Sequence, residues 1–233
     1  MIKLSDIQKQ NIWKEKSESI LPDGYINRRL CEKILPFLDR DEIVIILGPR
    51  QSGKTTLLNW FIQKYQELDI AKENIFYLNL DNKLLAAQLG EPLDFAEYFR
   101  SLKKQEGRVI LMLDEVQRVS DAGLFLKNIY DAFKDDIKIF CSGSSSLEIK
   151  AKTKEHLTGR KKNFSLLPLS LKEIAPRNLA YLRNIDKIDF KILKKIQRLY
   201  SKDLEDVFNL YSRYGGYPKV FLAPNADLKN SLL

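Results

Sequence analysis

The stretch "ILGPRQSGKTTLLNW" (residues 46–60) runs from an apolar segment through two glycines and a lysine into residues with helical spacing. Its centre, "GPRQSGKT" (48–55), matches G-x-x-x-x-G-K-[ST] in full. Chemistry accounts for the spacing. Gly48 and Gly53 let the backbone curl so that consecutive N–H groups point inward at phosphate oxygens. Lys54 then reaches the β- and γ-phosphates of a nucleotide, and Thr55 offers its hydroxyl to Mg²⁺. A helix opening at Gly53 adds the positive end of its dipole. The run Gly48, Pro49, Arg50, Gln51, Ser52, Gly53, Lys54, Thr55 and Thr56 is therefore expected to wrap the phosphates. The competing reading is an incidental glycine-rich turn. An apolar strand before the loop and an amphipathic helix after it weigh against that.

Working outward, five short runs rich in β-branched residues stand out: "EIVIILG" (42–48), "NIFYLNL" (74–80), "RVILMLD" (108–114), "IKIFCSG" (137–143) and "NFSLLPL" (163–169). The first four are almost continuously apolar, which suits strands buried on both faces of a parallel sheet. Helical patterns separate them. Leu57, Leu58, Phe61, Ile62, Tyr65 and Leu68 share one face after the loop, and Leu124, Phe125, Ile129, Tyr130 and Phe133 share another. Ahead of the first strand, "YINRRLCEKILPFLDR" (25–40) aligns Ile26, Leu30, Ile34 and Leu38 at helical spacing. The fold class expected is α/β: a three-layer αβα unit with a mainly parallel five-stranded sheet, followed by a small helical region. The boundaries read as an N-terminal extension (1–24), a core (25–169) and a helical, lid-like region (170–233). The closing "DLKNSLL" is an apolar helical beginning without an evident partner, so the sequence reads as a fragment of something longer.

Composition narrows the class. At 233 residues, 44% hydrophobic and 30% charged, the chain reads as a soluble globular protein. No apolar run is long enough to span a bilayer, and "MIKLSDIQKQNIWKEK" lacks a signal-peptide core. Cys31 and Cys141 fit no metal or redox spacing and are expected to be reduced thiols of a cytoplasmic protein. Residues 1–149 carry 21 Lys/Arg against 23 Asp/Glu, a balance of −2, while residues 150–233 carry 18 against 8, a balance of +10. That basic third is either a solvated helical surface or a face for nucleic acid.

"VILMLDE" (109–115) is an apolar strand ending in two acids. Beside a phosphate loop, Asp114 is placed to hold Mg²⁺ through its water shell, and Glu115 to polarise an attacking water. Adjacent bases of this kind are general in hydrolysing ATPases of the additional-strand class. "DNKLL" (81–85) begins like the guanine-reading N-K-x-D but has Leu85 where the aspartate belongs, so guanine recognition is rejected. The fourth strand runs into "CSGSSS" (141–146). There Ser142, with Ser144 in reserve, is a candidate to contact the γ-phosphate or the water; an ST-turn capping the next helix is the alternative. Arg160, in "LTGRKK", is read either as a cation for transition-state charge, within the chain or across a subunit boundary, or as a solvated corner. His156 reads as surface, and "RYGGYPKV" (213–220) as a tight turn.

Taken together, "GPRQSGKTTLL", "DEVQRV", "SGSSSLEI", "LTGRKKNFSLLPLSLKEI" and "GGYPKV", in this order, resemble prokaryotic AAA-type ATP-binding proteins with a C-terminal domain of unknown function, relatives of STAND-like archaeal ATPases. The resemblance spans about residues 23 to 220. It implies ATP and Mg²⁺ as ligands and places Ser142 at a sensor position and Arg160 at an arginine-finger position. It also implies that Gly216 and Pro218 pack against adenine and that Arg28 lies near the base. Three functions follow as expectations: a Mg²⁺-dependent ATPase driving movement of the helical region, a nucleotide switch with little hydrolysis, and a DNA-associated ATPase.

Overall fold

The computed structural model describes residues 3–14, 20–144, 156–179, 198 and 200–233. Contacts divide the chain into two compact units. One holds Met1–Pro22, Leu30–Arg50 and Lys54–Leu166, the other Asp23–Arg29, Gln51–Gly53 and Leu167–Leu233.

The first unit is built on five parallel strands: β1 (Ile43–Gly48), β2 (Ile75–Asn79), β3 (Val109–Asp114), β4 (Ile137–Ser144) and β5 (Lys161–Ser165). Their order across the sheet is β2-β3-β4-β1-β5. Every residue of β1 and β3 is buried, which explains why those runs read as continuously apolar. Alternation sends Ile43, Ile45 and Leu47 to one face and Val44 and Ile46 to the other. The first face is covered by α1 (Leu4–Gln10), α4 (Lys83–Ala87), α5 (Pro92–Ser101) and α6 (Ala122–Phe133) through Ile7, Leu85, Phe99 and Ile129. The second is covered by α2 (Arg29–Ile34) and α3 (Lys54–Glu67) through Ile34, Leu58, Phe61 and Ile62. These are the three layers of the expected α/β class.

The departures from the sequence reading have local causes. The helix expected over 25–40 is only α2 plus a 3₁₀ turn at Leu35–Phe37, because Pro36 has no N–H to continue the ladder. Ile26 packs instead in the second unit's core. Leu68 lies past the end of α3, before Asp69 in a left-handed conformation, and is half exposed; Leu124 also faces solvent. β5 starts earlier than expected and stops at Ser165, three residues before Pro168. The helix expected to follow Ser146 and the first part of the basic helical run from Asp189 lie outside the described residues.

Edge strand β2 is not left open. Asn11, just past α1, donates from Nδ2 to the Tyr77 carbonyl at 2.9 Å and accepts the Tyr77 N–H on Oδ1 at 2.8 Å. Gln10 Oε1 accepts from the Asn79 N–H at 2.6 Å. Two side-chain amides thus do what a further strand would do, and the edge is capped against stray pairing.

At the start of the central strand β4, the fully buried Lys138 donates to the carbonyls of Arg40 (2.6 Å) and Glu42 (2.5 Å). Burial pulls its pKa down to about 7; Arg108 adds to this, and Glu42, Asp41 and Asp39 oppose it. Unfolded, the lysine keeps its proton to about pH 10. Between those values the unfolded chain binds more protons, so stability rises with pH in that window and the cost of the buried charge is full below it. Relative to Lys138→Met, the wild-type unfolding free energy in urea should therefore rise by ~1–3 kcal/mol from pH 7 to pH 9.5. A constant difference would contradict this assignment.

The second unit is helical: α7 (Leu171–Asn178), α8 (Ser201–Tyr214), α9 (Pro218–Phe221) and α10 (Ala226–Ser231). Ile26, Leu169, Ile174, Val207 and Phe221 form its core. Glu173 Oε2 accepts from the Ser170 N–H at 2.8 Å and from the Ser170 hydroxyl at 2.9 Å, fixing the start of α7.

Candidate functional site

The loop between β1 and α3 turns through two left-handed residues, Gln51 (φ 63°) and Gly53 (φ 95°). Left-handed residues next to right-handed ones bring successive N–H groups to one side, the backbone form of an anion cradle. Ser52 is fully buried, and its hydroxyl has no hydrogen-bond partner among the described residues. Lys54 is buried too. Its ammonium touches the Gly48 and Pro49 carbonyls at 3.2 and 3.1 Å and Glu115 Oε1 at 3.6 Å. Among the described residues, then, this buried cation meets two neutral carbonyls and one more distant carboxylate.

Strand β4 stands between β1, which leads into the loop, and β3, which carries the acids. The loop's threonine nevertheless reaches across. Thr55 Oγ1 donates to Asp114 Oδ2 at 2.5 Å. Tyr77 Oη donates to the same oxygen at 2.9 Å, and the Ser142 hydroxyl donates to Oδ1. Burial and the charge of Asp114 push the Tyr77 hydroxyl above its ordinary pKa, so it remains a donor. Glu115 follows in a left-handed conformation (φ 58°, ψ 46°), a strained choice for a non-glycine residue. Its N–H donates to Ser142 Oγ at 3.1 Å, and its Oε2 accepts from Gln117 Nε2. The strain turns the chain out of β3 and leaves the Glu115 side chain partly exposed next to Lys54.

Ser142 therefore departs from the expected part. It is fully buried, its proton goes to Asp114, and it accepts from Glu115, so it braces the acidic pair instead of presenting its hydroxyl to a ligand. Ser144, the reserve, is the residue that stands in register with Gly48 at the mouth of the loop. Arg160 is corrected more sharply. It immediately precedes β5, whose Lys161 pairs with Ile43, and its carbonyl accepts from the Ile43 N–H at 2.8 Å. That is the opposite end of the strands from the loop, the length of β1 or about 16 Å away. Its guanidinium pairs with Asp131 at 2.6 Å. A role for Arg160 on a phosphate of its own chain is excluded.

Arg28 is also turned to protein. Its guanidinium donates to Glu173 Oε1 (3.1 Å), the Ser52 carbonyl (2.9 Å) and the Leu167 carbonyl (2.5 Å). A Cβ on Gly53 would lie 3.7 Å from both Arg28 Nη1 and Pro218 Cγ, so these three residues are brought together. Gly216 packs elsewhere: its carbonyl accepts from the Leu169 N–H at 2.6 Å, and Gly215 (φ 67°) closes α8. "RYGGYPKV" is thus the turn from α8 into α9, with Pro218 in the first turn of α9. Asn82, of the rejected guanine motif, caps α4 by accepting from the Leu84 and Leu85 N–H groups.

Tyr77 and Gln117 were not assigned roles by sequence reasoning. The one available signal for Tyr77 is a hydroxyl-tipped ring inside an apolar parallel strand, since such a tip needs a partner when buried.

An αβα sheet with this loop and an acid-tipped strand one place beyond its neighbour defines the class: a P-loop nucleoside-triphosphatase fold of the AAA type. A family model described as an AAA domain matches residues 40–175, and the chain belongs to that family. An uncharacterized protein of Haemophilus influenzae is 28% identical over 203 residues, covering 87% of this chain and 46% of its own length. An uncharacterized protein of Methanocaldococcus jannaschii is 26% identical over 209 residues, covering 89% of this chain and 42% of its own. The chain thus spans less than half of these relatives. Among solved structures, that of C. elegans PCH-2 aligns with TM-score 0.50 at 14% identity, covering 95% of this chain and 62% of that one, a likeness of fold. No helix among the described residues is long and apolar enough to cross a membrane.

Proposed function

We propose that the chain binds ATP with Mg²⁺ on residues 48–56 and hydrolyses it to ADP and phosphate. The observation that carries this is the meeting of Thr55 with Asp114 at 2.5 Å while Lys54 stands 3.6 Å from Glu115. The loop's hydroxyl and cation are set directly against the acidic pair. Among the described residues no three His, Cys, Asp or Glu side chains gather to hold a metal by themselves. Thr55 and Asp114 suit Mg²⁺, which keeps several waters and shares its shell with substrate phosphates. When bound, the ion would neutralise charge on the β- and γ-phosphates.

The chain's own residues do the rest. Lys54 exchanges its contacts with the Gly48 and Pro49 carbonyls for phosphate oxygens, and the amides around Gln51 and Gly53 take the remaining acceptors. Glu115 orients and deprotonates the attacking water. Coupling of the nucleotide state to movement of the helical region belongs to the same reading. Arg28 steadies the Ser52 peptide from behind, and Pro218, 3.7 Å from a Cβ on Gly53, is the candidate for the nucleotide's base side. One observation favours a second reading, a switch with slow turnover. Glu115 is held by Lys54 and Gln117, and hydrolysis would wait until those contacts are given up.

Calorimetric titration tests the proposal. Wild type should bind Mg²⁺–ATP, and Lys54→Ala should bind it at least about 100-fold more weakly, as expected when a buried charge-assisted contact is lost. Equal affinities would refute it.

A further inference from the structure

We infer that Tyr77 is a positioning residue for the metal-binding carboxylate, its hydroxyl fixing the plane of Asp114 so that Mg²⁺ is captured. This rests on the ATP–Mg²⁺ reading above. The carboxylate of Asp114 accepts three hydroxyl donors from three elements: Thr55 from α3 and Tyr77 from β2 on Oδ2, and Ser142 from β4 on Oδ1. Thr55 is the donor whose oxygen the ion itself needs. Once it turns to the metal, Tyr77 and Ser142 remain as the two fixed points, one on each carboxylate oxygen. Both restrain the same rotation about the Cβ–Cγ bond from opposite oxygens, and losing one leaves the carboxylate plane held less tightly.

Tyr77 is itself unusually well anchored. Asn11 grips both its N–H and its carbonyl, at 2.8 and 2.9 Å, so the edge strand cannot slide or fray at that residue. Asn11 is buried and also donates to the Ile7 carbonyl at 2.7 Å, which ties the grip to α1. The N-terminal segment therefore sets the backbone from which the hydroxyl reaches Asp114. Outer-shell partners of metal ligands commonly change metal affinity by one to two orders of magnitude when removed.

The test is Tyr77→Phe, which deletes one hydroxyl and keeps the ring. ATP affinity is titrated by calorimetry in EDTA and across a series of free Mg²⁺ concentrations. In EDTA the variant should match wild type within about twofold, whereas the Mg²⁺ concentration giving the half-maximal gain in affinity should rise about tenfold. In an Asp114→Asn background, Tyr77→Phe should add nothing further, because the two act as one unit. A Tyr77→Phe protein with the wild-type Mg²⁺ dependence overturns the inference and leaves ATP binding standing. So does a loss of affinity equal in EDTA and in Mg²⁺, which would mark the hydroxyl as a general support of the fold. Wild type that gains no ATP affinity from Mg²⁺ overturns this inference together with the reading beneath it.

Discussion

Glu115→Gln is expected to hold ATP with near wild-type affinity and to lose turnover by about 10²–10⁴-fold, the range for removing a general base. The amide keeps the size and shape of the side chain but cannot take a proton from water. It keeps one acceptor oxygen where the carboxylate has two, so of the contacts with Gln117 and Lys54, which fall on different oxygens, one survives as it stands. The left-handed backbone at Glu115 is unaffected, since Gln and Glu meet the same steric limits there. Losing the charge beside Lys54 leaves that ammonium more available to phosphate, so ATP affinity should hold or rise slightly. Phosphate release under single-turnover conditions, beside equilibrium binding, separates the two effects. Turnover within about threefold of wild type would mean that another group activates the water.

The phosphate loop and the acid pair were legible because their chemistry depends on neighbours in sequence. Gly48, Gly53, Lys54 and Thr55 act within eight residues, and Asp114 and Glu115 are adjacent. The strands were legible for a similar reason, since burial on both faces leaves a continuous apolar run. What was hidden depends on sheet order and on long-range pairing. Nothing local to Ser142 says that its hydroxyl will meet Asp114, 28 residues earlier. Asn11 and Tyr77 are 66 residues apart, and only the placement of β2 at the sheet edge makes their bond meaningful. The two readings of Arg160 could not be separated locally, because a residue just before a parallel strand lies at the end opposite the loop, and that depends on β5 pairing with β1. The glycines of "GGYPKV" raised a related ambiguity: a conformationally free residue, a close approach to ligand and a close approach to backbone all ask for glycine.

Gly216→Ala decides among these, and its effect should be among the largest of any single substitution in the second unit. Gly216 has no positive φ, so torsion alone does not require glycine there. Space does. An added Cβ would stand 1.9 Å from the Leu169 carbonyl oxygen and 2.9 Å from its carbon, both backbone atoms that cannot rotate away. The Leu169 N–H also bonds the Gly216 carbonyl at 2.6 Å, so relieving the clash breaks a buried hydrogen bond as well. Overpacking usually costs about 1–3 kcal/mol, and a collision with main chain belongs at or above the upper end. The damage should be local: Leu169 and Phe221 belong to the same small core, so α7 and α9 should lose hydrogen-exchange protection while β1, β3 and β4 keep theirs. Melting without ligand is the decisive comparison, because the adenine-contact role implied by family resemblance predicts the reverse pattern. If Gly216 serves the base, alanine leaves the ligand-free protein intact and weakens ATP alone. If the contact with Leu169 is what matters, the ligand-free protein loosens first and ATP affinity falls only as far as that loosening carries it.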